Sequence, residues 1–153
     1  MGGATIQCGS FEGNDKSASP ITSVLDEAFF RAFGRLPRSR FGIWFAKYIG
    51  SKPTSIEAAA EAAIIDVKFN EKGEISPEIA SLLLPHLEQY QSTLLLQLGI
   101  KDDADEIEDH MNMTTDAKYG TVPDRGWHLY CLHDLVPACR ISVRDGCPIQ
   151  VIW

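Results

Sequence analysis

The stretch that decides the fold of this chain is Gly126–Trp153, GWHLYCLHDLVPACRISVRDGCPIQVIW. It contains three of the four cysteines, two of the four histidines and two of the three tryptophans. Such a concentration is typical either of a reactive or metal-binding site or of a segment that closes the hydrophobic core. The spacing of its residues separates these two interpretations.

Five positions of this stretch recur at intervals of three and four residues: Leu129, Leu132, Val136, Cys139 and Val143. This spacing places them on one face and predicts an amphipathic helix that packs inward. Gly146 indicates where the helix ends, and the following PIQVIW is typical of a short strand. Pro137 interrupts the pattern, so the sequence leaves two possibilities open. One helix is kinked there, or a new helix begins with Asp134 as its N-cap.

Several residues of the same stretch are of types that bind zinc, namely His128, Cys131, His133, Cys139 and Cys147. On one helix, however, Cys131 and Cys139 lie about 12 Å apart along the axis, too far for one tetrahedral ion. A catalytic triad is not supplied locally either, because the neighbours His133 and Asp134 point in different directions. The cysteines are therefore predicted to be core side chains, with no catalytic residue, metal or cofactor. A small metal-binding or hydrolytic enzyme centred on this His/Cys segment is the alternative.

Apolar periodicity and capping residues predict the other elements. Helices are expected at about 20–33, 39–49, 55–68 and 78–98. Thr54 and Glu57 form a capping box at the start of the third. Pro85 is expected to kink the fourth or to divide it into two abutting helices. NEKG (70–73) is interpreted as a turn and 111–126 as a loop. ATIQC (4–8) is a possible strand, and its pairing with the last strand would bring Cys8 towards Cys147. We expect a single domain, 1–153, of mainly α (α+β) class: five or six helices and a small sheet from the terminal strands.

The charge balance limits the class of partner. The 153 residues include 14 basic and 21 acidic side chains, for a net charge of -7. Phosphate-rich surfaces are bound through lysine and arginine, so neither nucleic acid nor an anionic membrane is an expected partner. The one basic stripe, Arg31, Arg35, Arg38, Arg40 and Lys47, is interpreted as a solvated helix end and loop. The first residues lack the pattern of a signal peptide, which predicts a cytoplasmic protein with free thiols.

An acidic run is the second notable feature of the chain. Asp102, Asp103, Asp105, Glu106, Glu108 and Asp109 fall within ten residues. They are either a solvated helix face near the positive end of its dipole or a surface complementary to a basic protein. Trp127 and Tyr130 are likewise either core or interface residues. Charge reversal at Asp103, Asp105 and Glu106 is predicted to slow partner association and leave the fold intact.

The overall plan resembles small immunity proteins of bacterial polymorphic-toxin systems. The residues that carry the resemblance are MGGATIQCGSF, DEAFFRAF, PTSIEAAAEA and LHDLVPACRISVRDGCPIQVIW. The resemblance implies a role: stoichiometric binding and neutralisation of a cognate toxin in the cytoplasm. It assigns no residue. The candidate partner-binding residues are therefore those of the acidic run, together with Trp127 and Tyr130, and the expected partner is a basic toxin domain.

Overall fold

The computed structural model describes residues 3–14, 18–38, 55–114 and 125–153. Within these ranges it contains five helices and one antiparallel sheet of four strands. The helices are α1 (Ala18–Phe33), α2 (Ile56–Phe69), α3 (Pro77–Leu98), α4 (Ala104–Thr114) and α5 (Arg125–Asp145). The strands are β1 (Thr5–Cys8), β2 (Phe11–Glu12), β3 (Lys72–Ile75) and β4 (Ile149–Ile152). The mainly helical α+β fold is confirmed, while the helix expected at 39–49 lies outside the described residues.

The sheet joins the two ends of the sequence. Its strand order is β2-β1-β4-β3, and each neighbouring pair is antiparallel. Thr5 of β1 pairs with Ile152 of β4, so the predicted pairing of the terminal strands is confirmed. Alternate residues of β1 and β4, such as Ile6 and Val151, are fully buried, which places one face of the sheet on the core. The outward face carries the partly exposed positions, most of which are polar, such as Gln7 and Gln150.

The strand β3 was not expected from the sequence, because residues 70–73 were interpreted as a turn. The chain turns at Asn70 and Glu71, then pairs with β4 from Lys72 onward. Gly73 permits this, because β3 passes very close to α2. A Cβ atom on Gly73 would lie 2.6 Å from the Cα of Val67 and 2.9 Å from its backbone nitrogen.

Gly73→Ala is expected to lower the free energy of unfolding by about 1 to 3 kcal/mol, the usual range for overpacking. The added methyl group would meet backbone atoms of Val67, which cannot rotate away as a side chain can. Urea denaturation followed by circular dichroism measures the change. Glu74→Ala is the matched control: Glu74 is exposed in the same strand, so its replacement should change the free energy by about 0.5 kcal/mol or less. Equal effects would refute the close approach.

The helix ends mostly follow local rules. Ser76 is the N-cap of α3 and accepts a hydrogen bond from the backbone nitrogen of Ile79, with Pro77 in the first turn. Gly99 ends this helix in the left-handed conformation, as predicted. At α2 the N-cap is Ser55, which accepts from the backbone nitrogen of Ala58; Thr54, the expected cap, lies outside the described residues.

Both prolines within helices are accommodated without dividing the helix. The helix α3 is continuous through Pro85, so the expectation of two abutting helices is wrong. The helix α5 is likewise continuous through Pro137. Asp134 therefore lies within α5 and is not its N-cap. The prediction of a loop at 111–126 is wrong at both ends, because α4 extends to Thr114 and α5 begins at Arg125, and residues 115–124 lie outside the described part of the chain.

The core lies between α5, the other helices and the inward face of the sheet. Four of the five predicted seam residues, Leu129, Leu132, Val136 and Cys139, are at most 1% exposed. Val143, the fifth, is 45% exposed, so its assignment to the core is wrong. The helix ends two residues later, with Gly146 in the left-handed conformation, and its last turn extends beyond the core. Cys131 is also fully buried, as expected for a small core side chain.

Trp153 connects the sheet to α2 and to the turn before β3 by two hydrogen bonds. The indole nitrogen of Trp153 donates a hydrogen bond to the carbonyl oxygen of Val67 at 2.8 Å. Its backbone nitrogen donates to the carbonyl oxygen of Glu71 at the same distance. Trp153 therefore has a structural role at the junction between α2 and β3.

Candidate functional site

The acidic run forms the start and the outer face of α4. Asp103 lies just before the helix, where its carboxylate accepts hydrogen bonds from the backbone nitrogens of Asp105 and Glu106, both at 3.1 Å. Its carbonyl oxygen accepts from the nitrogen of Ile107. Asp103 is therefore the N-cap of α4. A carboxylate of Glu106 accepts from the backbone nitrogen of Lys101 at 2.9 Å. A charge reversal at Asp103 or Glu106 would remove these bonds, so neither residue suits a test that must leave the fold intact.

The other acids of α4 are free of such structural roles. Asp105, Glu108 and Asp109 are exposed and are spaced i, i+3 and i+4, so they share one face of the helix. The opposite face carries the buried Ile107 and Met111. Within the described part of the chain, none of the three carboxylates forms an ion pair or hydrogen bond. Like charges at these spacings destabilise a helix by roughly 0.2 to 0.5 kcal/mol per pair. We call these three residues the acidic face.

Two aromatic residues of α5 pack against each other, and one of them, Tyr130, is influenced by the charge of Glu108 on the acidic face. Trp127 and Tyr130 are half-buried, and their rings form an edge-to-face pair with centroids 6.3 Å apart. Burial raises the pKa of Tyr130, and the nearby negative charges of Asp134 and Glu108 raise it further. Glu108 is therefore close enough to Tyr130 to influence its ionisation. Of the predicted residues, Glu108 of α4 is thus linked to Tyr130 of α5, and Trp127 packs against Tyr130.

The residues around Tyr130 are held by two long-range contacts. Asp102, at the start of the acidic run, lies 2.8 Å from the Nδ1 atom of His133 on α5. On the buried side, the carboxylate of Asp134 accepts a hydrogen bond from the backbone nitrogen of Asn14 at 2.9 Å. The neighbouring Gly13 leaves no room for a Cβ atom against that carboxylate. These contacts hold the start of the acidic run and the segment Gly13–Asn14, which follows β2, against α5.

Three residues of the alternative catalytic site have separate partners elsewhere in the chain. The Nδ1 atom of His128 lies 2.6 Å from the hydroxyl oxygen of Tyr90 on α3, whereas that of His133 lies 2.8 Å from the carboxylate of Asp102. Cys131 is buried in the core, and the carboxylate of Asp134 binds the backbone nitrogen of Asn14. Among the described residues, no three or more His, Cys, Asp or Glu side chains are grouped so as to hold a metal ion.

The described part of the basic stripe, Arg31, Arg35 and Arg38, is engaged in ion pairs. Arg35 and Arg38 both bind Glu61, at distances of 2.7 and 2.6 Å, and the Glu61 side chain is only 1% exposed. Arg35 also binds Glu57, and Arg31 binds Glu27. Arg40 and Lys47 lie outside the described residues. The described members of the stripe lie at the end of α1 and just after it, where Arg35 and Arg38 remain partly exposed to solvent, and they also neutralise acidic groups, one of which is buried.

The pairing of Glu61 predicts a loss of stability in acid. Burial opposes ionisation of Glu61, but hydrogen bonds from Arg38 and Arg35 outweigh it, so the pKa of Glu61 is lowered. A carboxylate whose pKa is lower in the folded state stabilises the fold above its unfolded pKa. That stability is lost as the pH falls through the folded pKa. The free energy of unfolding should therefore fall more steeply between about pH 5 and pH 3 in the wild type than in Glu61→Gln. If the free energies of unfolding of the wild type and of Glu61→Gln fell equally with pH, this role of Glu61 would be contradicted.

Comparison of this chain with models of protein families, with curated proteins and with solved structures finds no match. In the parts of the chain that the structure describes, no helix combines the length and the apolar character needed to cross a membrane. The functional interpretation therefore depends on the geometry and charge of the site itself.

Proposed function

We propose that this chain is a stoichiometric inhibitor that binds and neutralises a basic protein, as immunity proteins of bacterial toxins do. The observation that carries the proposal is the acidic face of α4. Asp105, Glu108 and Asp109 are exposed, share one side of the helix and lack a compensating cation in the described part of the chain. Mutually repelling charges on a surface reduce the stability of the free protein, and a cationic partner would remove that cost.

The composition of the surrounding surface supports the same function. Tyrosine and tryptophan are enriched at the energetic centre of protein interfaces. Both Trp127 and Tyr130 are half-buried; they pack against each other, and the charge of Glu108 acts on Tyr130. Aromatic rings provide apolar contact area, while the carboxylates guide the approach of a cationic partner. A partner surface built to hold phosphate would be the chemical complement, so a nucleic-acid-cleaving toxin is the class that fits best. The resemblance to small immunity proteins supports this role.

Co-expression with the products of the neighbouring genes tests the proposal. We expect one of these products to be toxic alone, to be harmless with this chain, and to form a complex of defined stoichiometry in light scattering and calorimetry. Failure of every neighbouring product to bind and to be neutralised would overturn the proposal.

Elemental analysis of the purified protein tests the alternative class. A stoichiometric transition metal would favour the metal-binding or hydrolytic enzyme centred on His128, Cys131, His133 and Asp134. Toxin neutralisation that persists after the metal is chelated would instead favour the inhibitor.

A further inference from the structure

The β1–β4 pairing brings two cysteines from opposite ends of the sequence into contact. Cys8 is the last residue of β1, and Cys147 lies two residues before the start of β4. Their Sγ atoms are 2.8 Å apart, and both are free thiols. A disulfide bond is about 2.0 Å long, so closing the bond requires only a small further approach of the two sulfur atoms.

Neighbouring groups hold Cys147 in this position. Its carbonyl oxygen accepts a hydrogen bond from the hydroxyl of Ser142 at 2.5 Å, and the Cys8 thiol lies 3.5 Å from the same oxygen. Its sulfur also packs against the turn between β1 and β2. Gly9 adopts a φ of 59° there, and a Cβ atom on Gly9 would lie 3.6 Å from that sulfur. The contact between the two thiols is therefore fixed by a side-chain hydrogen bond and by a turn.

The two sulfur atoms differ in their access to solvent. Cys8 is 1% exposed, and Cys147 is half-buried. Burial raises the pKa of Cys8 to about 12, with a further rise from its hydrogen bond to Cys147. Cys147 is the more accessible thiol, so we expect it to react first with an oxidant in solution. Cys139 is also 1% exposed, and burial likewise raises its pKa to about 12, so it is not the thiol that an oxidant in solution meets first.

We propose that Cys8 and Cys147 are a redox modification site, in which a peroxide converts two thiols reversibly into a disulfide. Cys147 attacks one peroxide oxygen as a thiolate and breaks the O–O bond, which yields a sulfenic acid and, after protonation, one water molecule. The Cys8 sulfur then attacks the sulfur of Cys147 and displaces the hydroxyl group as a second water molecule. The two thiols lose two electrons and two protons in total, and hydrogen peroxide gains them. A dithiol reductant reverses the reaction by thiol–disulfide exchange.

Treatment of the purified, reduced full chain with hydrogen peroxide tests this site. The intact mass should fall by that of two hydrogen atoms, and a non-reducing peptide map should link Cys8 to Cys147. The melting temperature should rise by about 5 °C or more, because the bond closes a loop of almost the whole chain. Dithiothreitol should restore the original mass and melting temperature.

Three variants identify the residues responsible. Cys8→Ser and Cys147→Ser should each abolish the loss of mass and the rise in melting temperature, whereas Cys139→Ala should retain both. A link from Cys8 to Cys139, irreversible oxidation of Cys147 without a cross-link, or an unchanged mass in the wild type would each overturn the proposal. The measurements need no binding partner, so their outcome is independent of the proposed inhibitor function.

Discussion

Replacement of Asp105, Glu108 and Asp109 together by lysine is expected to slow association with a basic partner by about 10- to 100-fold at low ionic strength. The exposed carboxylates accelerate the encounter by attracting the partner, and the reversed charges would repel it. The dissociation rate should change less, because exposed rim charges act mainly on association. Surface plasmon resonance at several salt concentrations measures both rates, and the difference between variant and wild type should shrink as salt is added.

A second triple variant separates the acidic face from the net charge of the protein. Glu12, Glu71 and Glu74 are exposed acids of the sheet region, and their replacement by lysine changes the net charge by the same amount. This control should slow association much less than the reversal on α4. Equal slowing by the two variants would mean that net charge, and not the acidic face, guides the partner. If the reversal on α4 leaves the association rate unchanged, the acidic face is not part of the interface.

The reversal on α4 should leave the isolated chain folded. The three lysines repel one another about as much as the three carboxylates did, and the lysine at position 109 gains Glu106 as an oppositely charged i,i+3 neighbour, which offsets the less favourable placement of a lysine near the start of the helix. We therefore expect the free energy of unfolding to change by about 0.5 kcal/mol or less. Asp103→Lys, in contrast, removes the N-cap of α4 and should cost about 1 kcal/mol. This difference is why the binding test uses Asp105, Glu108 and Asp109 and excludes Asp103.

Leu132→Ala is expected to lower the free energy of unfolding by about 2 to 5 kcal/mol. Leu132 is fully buried in α5, so its truncation removes apolar contacts and leaves a cavity among surrounding helices. Val143→Ala is the matched control on the same helix. Val143 belongs to the same sequence pattern but is 45% exposed, so its truncation should cost little. Chemical denaturation of both variants measures the contrast, and a neutral Leu132→Ala would show that α5 does not form the core.

The features that sequence predicted best depend on local chemistry. Ser76 before Pro77 begins a helix, and Gly99 ends it, because each satisfies backbone groups within a few residues of itself. One long-range feature, the pairing of the terminal strands, was also predictable, since ATIQC and PIQVIW are apolar segments that need a partner strand.

The features that sequence did not predict depend on distant partners. The strand β3 is four residues long and becomes a strand through its pairing with β4, far along the chain. The burial of Glu61 depends on Arg35 and Arg38, which precede α2 in the sequence. Asp134 resembled a helix cap, but its role is to bind the backbone of Asn14.

For the candidate site, the acidic and aromatic residues were identified from the sequence. The division between structural acids, such as Asp103, and free acids required the hydrogen-bonding pattern of α4.

The β1–β4 ladder also has a mechanical consequence. Because Thr5 pairs with Ile152, the two outer ends of these strands leave the sheet on the same side. A force that pulls the ends apart would open this ladder by unzipping, one pair of hydrogen bonds after another, and not by shearing the whole strand at once. Cys8 and Cys147 lie at the opposite end of the ladder, so a bond between them would limit how far such an opening could travel.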